Sequence, residues 1–351
     1  TAGRGERGGT IYAREKPGAD NIGISTAHPY HEGAYAPFSL HLIVKFLVTG
    51  ATGFIGAQLC AQITHAGHEL LAFSASGGRL PDGSATHALD FASQQIDTGL
   101  LASVDAVVHL AGIAHRSAAE ADYQAVNHRA PVELARRAAQ AGVRSFVFLS
   151  SVKAMGPGAS DHARNEQDCR AQLDPYGRSK RAAEIALVDE LGGGDMSISI
   201  VRPALVYGSG AKANLALVSR AISKGLPRPP ADGGRSMIGI DDLCRLLLLL
   251  AEPRSPGVRT YIAADGEVYS TRRIYDALRK ARGMGQGRAW CPRWGWRVGC
   301  RLLDALKRNP QPAWQRLFGW ELYSSEAAQA DLDWHPQHTF EDYSQYIGGA
   351  L

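Results

Sequence analysis

Gly50-Ala-Thr-Gly53-Phe-Ile-Gly56 follows directly on the apolar run Leu42-Ile-Val-Lys-Phe-Leu-Val48. The run reads as a short buried strand. The glycines then open a helix over Ala57 to Ala66, which Gly67 stops. Bare Cα atoms let the backbone turn tightly and come close to a pyrophosphate. The helix N-terminus offers the anion unpaired N–H groups and the positive end of a dipole. A glycine-rich turn alone is also a common structural device. The strand before it and the helix after it make this one the phosphate grip of a dinucleotide-binding βαβ unit.

From Val44 onward, short apolar strands alternate with helical segments, which is the pattern of a parallel α/β sheet. The strands read as Lys45–Thr49, Glu69–Phe73, a short one near Thr86–Leu89, Asp105–Leu110, Ser145–Leu149 and Ser197–Val201. Helices are expected over Ala118–Ala141, stopped by Gly142, and over Asp174–Leu191. The fold class is α/β: a doubly wound parallel Rossmann sheet with a smaller, interleaved C-terminal substrate lobe. The dinucleotide domain is expected at 44–205 plus about 236–262, and the substrate lobe at 206–235 and 263–351. Within this, Ser236–Ala251 is expected to return to the sheet edge. Residues 1–43 lack periodicity and an initiating Met. They read as a disordered upstream extension, with Val44 encoded by an alternative start codon.

The chain has 351 residues, 45% of them hydrophobic, and a net charge of +4. That is enough for a large core and too mild a charge to imply nucleic acid. The five cysteines are scattered, with no Cys-x-x-Cys pair or Cys/His cluster. Neither a metal site nor a disulfide framework is expected, and a reducing cytoplasm fits best. The longest apolar stretch, Leu246–Ala251, is far short of a membrane span. All six Trp lie between Trp290 and Trp334. Around Leu302–Leu306 they mix with Arg293, Arg297, Arg301, Lys307, Arg308 and Arg316. A basic, Trp-bearing amphipathic helix can lie on a membrane surface. The favoured reading is a substrate-lobe helix with solvated Arg and a core face, without membrane association.

Tyr176-Gly-Arg-Ser-Lys180 opens a helix, and the i, i+4 spacing puts Tyr176 and Lys180 on one face. A phenol with pKa near 10 is a poor base at neutral pH. A nearby ammonium and a positive nicotinamide would favour the phenolate. Upstream, Phe148-Leu-Ser150-Ser151 ends a strand, and strand carboxyl ends face the ligand crevice of a doubly wound sheet. Ser151 can therefore hold a reacting oxygen whose proton Tyr176 takes or gives. The bland alternative is a surface Tyr and Lys on an amphipathic helix.

With these motifs, the chain resembles the extended short-chain dehydrogenases/reductases of the NAD-dependent epimerase/dehydratase family. The matching stretches also include His109-Leu-Ala-Gly112, Asn127, Leu149-Ser-Ser-Val-Lys-Ala-Met-Gly156, Arg202-Pro203, Val206-Tyr-Gly208, Arg235-Ser-Met-Ile-Gly-Ile-Asp-Asp242 and Leu332-Asp-Trp-His-Pro336. They run in the family's order over 44–350. The resemblance implies that Ser151, Tyr176 and Lys180 are catalytic. It implies a cofactor site of Gly50, Thr52, Gly53, Phe54, Ile55, Gly56, Ser74, Asp90, Phe91, Leu110, Ala111, Gly112, Asn127, Tyr176, Lys180 and Pro203. Ser151, Asn214 and Arg235 would hold a nucleotide-sugar substrate, UDP-linked in the most similar members. It also implies a homodimer through the helices around 118–141 and 174–191.

Two departures matter. The acid that ends the second strand in many members is Ser74 here, and Arg79 follows in a glycine-rich loop. NAD and NADP both stay open. The acidic pair of the family's dehydratases is replaced by Val152-Lys153, so a dehydratase is set aside. A nucleotide-sugar 4-epimerase is expected. A 4-keto-sugar nucleotide reductase is the alternative, and a non-catalytic NAD(P)-sensing regulator is the reading from another class.

Overall fold

The computed structural model describes residues 43–114, 118–158, 161–210, 214–307 and 311–347. The expectation for residues 1–43 falls, but for Ile43, outside them. Strand β1 (Lys45–Thr49) leads into helix α1 (Phe54–His65), then β2 (Glu69–Ser74), a small hairpin of β3 (Gly78–Arg79) and β4 (Ala85–Ala88), and the one-turn α2 (Thr98–Leu101). After β5 (Ala106–His109) come α3 (Glu120–Tyr123), a π-helical turn over Gln124–Arg129, and α4 (Ala130–Gln140). Next are β6 (Ser145–Leu149), α5 (Pro175–Leu191), β7 (Ser197–Pro203), β8 (Leu205–Tyr207) and α6 (Asn214–Ser223). The chain continues through β9 (Gly234–Arg235), β10 (Met237–Gly239), α7 (Ile240–Ala251), β11 (Gly257–Ala263) and α8 (Thr271–Ala281). It ends with α9 (Arg293–Lys307), α10 (Ala313–Phe318), β12 (Trp320–Glu321), α11 (Glu326–Leu332) and α12 (Phe340–Tyr343).

The main sheet runs β11-β7-β6-β5-β1-β2-β4-β3, parallel except for the β3–β4 hairpin. The strand order reverses between β1 and β5, so their carboxyl ends open the crevice where such sheets bind ligands. β6 and β7 are buried along their whole length, as strands covered on both faces must be. One face packs α1 and the leucine-rich α7. The other packs α4 and α5.

Three sequence expectations are corrected. The single helix over Ala118–Ala141 starts at Glu120 and is interrupted by the π-helical turn. Ser236–Ala251 does not return to the main sheet. Its strand β10 pairs in parallel with β8, and β11 takes the sheet edge against β7. The helix near Leu302 presents little core face: Leu302, Leu303 and Leu306 are exposed.

One buried ion pair ties the layers together. Arg202, on β7, donates to both carboxylate oxygens of Glu184, on α5, at 2.9 and 2.7 Å. Both side chains are only 2% exposed. Ser150, at the end of β6, donates to the same carboxylate at 2.6 Å. Breaking one partner of such a pair strands the other charge in a dry interior. Arg202→Leu is expected to cost about 3–5 kcal/mol, read as a fall in the urea midpoint. Replacing Arg202 and Glu184 together by apolar residues should cost much less. A single-variant loss under about 1 kcal/mol, the range of an exposed pair, would contradict this view of the tie.

Candidate active site

The glycine turn is built as the sequence requires. Gly50 has φ +69°, in the region that favours glycine, and a Cβ there would lie 2.8 Å from Ala111 N. A Cβ on Gly56 would lie 2.1 Å from the Gly50 carbonyl oxygen. Only glycine lets α1 start this close under β1. Gly53 caps α1 with no side-chain hydrogen bond, and the first turn holds no acid. The opening N–H groups of α1 are therefore left for an outside acceptor. That bare, positively polarised cradle fits the pyrophosphate of a dinucleotide.

The neighbouring side chains divide the work. Thr52 is exposed beside the turn. The Phe54 ring abuts the Gly208 and Gly210 loop, and Ile55 packs against the core. Their backbone N–H groups, not their side chains, are what a phosphate would meet. Ser74 is buried, and its hydroxyl lies 2.8 Å from that of Thr86. Arg79 donates to the Gly83 carbonyl of its own hairpin. Asp90 caps its own turn, accepting from Ala92 N–H and the Ser93 hydroxyl. Phe91 packs edge-on against His109, with centroids 5.5 Å apart.

Thr49 and His109 join the two walls of the crevice. The Thr49 hydroxyl accepts from Leu110 N–H and Ala111 N–H, each at 3.2 Å. Its own hydrogen then points to His109 Nδ1, 3.0 Å away. That assigns the imidazole proton to Nε2, which has no hydrogen-bond partner among the described residues. Burial holds His109 neutral, with a pKa lowered to about 3. Leu110 and Ala111 thus line the crevice through a backbone fixed from below, and Gly112 is exposed to it.

The π-helical turn carries Asn127, which is fully buried. Its side chain accepts from Ile113 N–H at 2.8 Å and donates to Ile113 O at 2.9 Å. It also donates to the Ser179 hydroxyl at 3.2 Å, and that hydroxyl donates to Tyr176 O at 2.8 Å. A Cβ on Gly112 would touch both Asn127 Oδ1 (3.0 Å) and Lys180 Nζ (3.4 Å). The end of β5, the π-helical turn and α5 therefore meet at one point.

Helix α5 is started by Asp174, whose carboxylate accepts from Gly177 N–H at 2.8 Å, with Pro175 at its first position. This start fixes Tyr176 one turn before Lys180. Lys180 is buried, donates to Leu149 O at 2.8 Å and sits 4.6 Å from the Phe148 ring centroid. Burial lowers its pKa to about 7, and Glu184 opposes the shift. Burial raises the Tyr176 phenol to about 12, while the neighbouring Ser151 side chain pulls it back. Ser151 also caps the short turn Val152–Met155 by accepting from Lys153 N–H at 3.2 Å. Ser151, Tyr176 and Lys180 thus form one contiguous group at the crevice mouth. Pro203 is buried at the end of β7.

Lys153 Nζ pairs with Glu321 at 2.9 Å. Arg235 lies on β9, which pairs with β12 and so runs beside Glu321. Its guanidinium donates to Arg316 O. Burial lowers its pKa, and Glu321 opposes the shift. Asn214 opens α6, but its side chain lies outside the described residues. Among the described residues, no group of His, Cys, Asp or Glu could hold a metal ion. Sequence reading missed Glu184, Ser179 and Glu321 as members of the site. Only Glu184 left a signal, four residues beyond Lys180 on the same helix face.

A protein-family model described as the NAD dependent epimerase/dehydratase family matches residues 46–263. A UDP-glucose 4-epimerase of Vibrio cholerae is 28% identical over 308 residues, covering 85% of this chain and 92% of that protein. A 2-alkyl-3-oxoalkanoate reductase of Stenotrophomonas maltophilia is 26% identical over 330 residues, covering 85% and 97%. Among solved structures, MoeE5 in complex with UDP-glucose and NAD superposes with a TM-score of 0.68 at 23% identity, covering 86% of this chain and 97% of that one. That last likeness is one of fold. With the glycine cradle, the Ser151–Tyr176–Lys180 group and the doubly wound sheet in place, this chain belongs to the NAD dependent epimerase/dehydratase family of enzymes.

Proposed function

We propose that this protein is a nucleotide-sugar 4-epimerase acting on UDP-glucose or a UDP-N-acetylhexosamine. The observation that carries the reading is the convergence of Ser151, at the end of β6, on Tyr176 in the first turn of α5, with Lys180 one helical turn behind. In this reading Gly50–Gly56, Ala111–Gly112, Asn127 and Pro203 would hold the nicotinamide dinucleotide, which when bound would supply hydride acceptance and return at sugar C4. Ser151 donates to the C4 oxygen and fixes its position. Tyr176, as phenolate, takes the C4 hydroxyl proton and later gives it back. Lys180, when protonated, favours that phenolate. Burial pushes Tyr176 up and Lys180 down, so the apo site holds a neutral phenol. Positive charge arriving with an oxidised cofactor would lower the phenol toward working range. Ser74, spent on Thr86, and Arg79, spent on Gly83, leave NAD and NADP both admissible.

Arg235, desolvated and on the lobe side, is proposed to meet the substrate diphosphate, since a guanidinium fork bonds phosphate oxygens in pairs. α5 leaves Ile185 and Val188 46% and 49% exposed, a patch suited to a homodimer through α4 and α5. A 4-keto-sugar reductase uses the same proton-handling residues. The V. cholerae relative, named as an epimerase and covered over nearly its full length, favours the epimerase.

The direct test is NMR of UDP-glucose and UDP-N-acetylglucosamine incubated with purified protein and no added cofactor. The galacto epimer should appear. Tyr176→Phe should lower its rate by roughly 10²–10⁴-fold, the usual worth of a positioned acid–base group, while bound nucleotide stays. Epimer formed at full rate by Tyr176→Phe would remove Tyr176 from the reaction.

Lys180 also sets a pH dependence of stability. Its pKa falls from 10.5 to about 7 on folding, so between those values the unfolded chain binds the extra proton. Apo stability should therefore rise with pH across that window. Lys180→Met should flatten the rise and stabilise the apoprotein at neutral pH, by on the order of a few kcal/mol less the lost Leu149 contact. Urea midpoints measured across the window check this, and an unchanged slope would contradict it.

A further inference from the structure

Helix α9 turns most of its large apolar side chains away from the protein. Trp294, Leu302 and Leu306 are 71%, 61% and 81% exposed, and Val298 and Leu303 are exposed with them. Residues 294, 298, 302 and 306 succeed one another at i+4, so they form one continuous stripe. Trp290, just before the helix, adds a side chain 69% exposed. The face that does pack is narrow. Trp296 and Cys300 join Ala313 and Phe318 in a small cluster separate from the main core, and Asp304 accepts from Ala313 N–H at 2.7 Å. A contiguous exposed patch of this kind marks an interaction surface.

The charge around the stripe names the occupant. By helical periodicity, Arg293, Arg297 and Arg301 run along one edge of it, and all three are exposed, Arg293 paired with Asp232 at 3.0 Å and Arg297 lying over the Trp314 ring. Residues 288–307 contain five basic residues and one acid, Asp304, whose carboxylate is taken by Ala313. The outer surface is therefore apolar with a positive border. A second copy of this chain would bring the same net-positive border, whose neighbouring acid, Asp232, is already paired with Arg293. An anionic headgroup layer supplies the opposite charge, and the acyl boundary beneath it takes the apolar stripe. Trp favours that boundary, and Arg stems can bury while their heads stay with the headgroups.

We propose that Trp290 and α9 seat this protein on an anionic lipid surface, the helix lying in the plane of the interface. The attachment is peripheral: no described helix is long and apolar enough to cross a membrane.

The test uses the full chain with vesicles of phosphatidylcholine alone and of phosphatidylcholine with phosphatidylglycerol. At low salt the protein should sediment with the anionic vesicles only, with a blue shift of Trp emission, and should be released by salt. R297Q/R301Q should weaken binding roughly thirty-fold. W294A/L306A should weaken it at least about tenfold through lost apolar burial. Both pairs are solvent-exposed, and unchanged circular dichroism would verify the fold. Absence of sedimentation with anionic vesicles overturns the proposal, as does binding that both variants leave intact. A concentration-dependent oligomer dissolved by W294A/L306A, with no vesicle binding, would assign the stripe to contacts between copies and overturn it equally.

Discussion

The carboxylate of Glu184 is the point through which the reacting elements are held. It receives Ser150 from the end of β6, Arg202 from β7 and Arg181 from its own helix. Ser151, Tyr176 and Lys180 come from two of these elements, and Pro203 follows Arg202 on the third. A charge this deep is tolerable only with its partners in place, so the network specifies one arrangement of strand ends and helix. Its field also raises the Lys180 pKa against the larger, opposing effect of burial. One group thus links the packing of the sheet to the protonation of the site.

The crevice opposite depends on a different constraint, the lack of side chains. Gly50 and Gly56 let β1 and α1 approach until a single added methyl would meet backbone. No side chain caps the helix N-terminus, which leaves its N–H groups open to an anion. The Thr49 hydroxyl, bonded to Leu110 N–H, Ala111 N–H and His109, sets the facing wall at fixed spacing.

Much of this was legible in the sequence, and the reason is periodicity. Ser145–Leu149 and Lys45–Thr49 are apolar runs bounded by turn residues, and both form strands at the bounds read from them. The grouping of Ser151, Tyr176 and Lys180 followed from a strand end and an i, i+4 spacing. What escaped reading was non-local or too short to leave a pattern. The π-helical turn that aims Asn127 shifts backbone hydrogen bonds by one residue and hardly disturbs the apolar stripe of α4. The pairing of β10 with β8 is decided by tertiary packing, as is the Glu321–Lys153 contact across 168 residues. The α9 stripe was visible as amphipathicity. Which of its faces met the protein was not, because apolar periodicity is blind to whether the partner is a core or a surface.

In the proposed epimerisation, Tyr176 moves only the hydroxyl proton, while the C4 hydrogen leaves and returns without meeting water. Epimerisation of UDP-N-acetylglucosamine or UDP-glucose in D₂O tests this directly. The galacto product should keep its original hydrogen at C4. Deuterium at C4 would contradict it, because that hydrogen would then have passed through an exchanging acid.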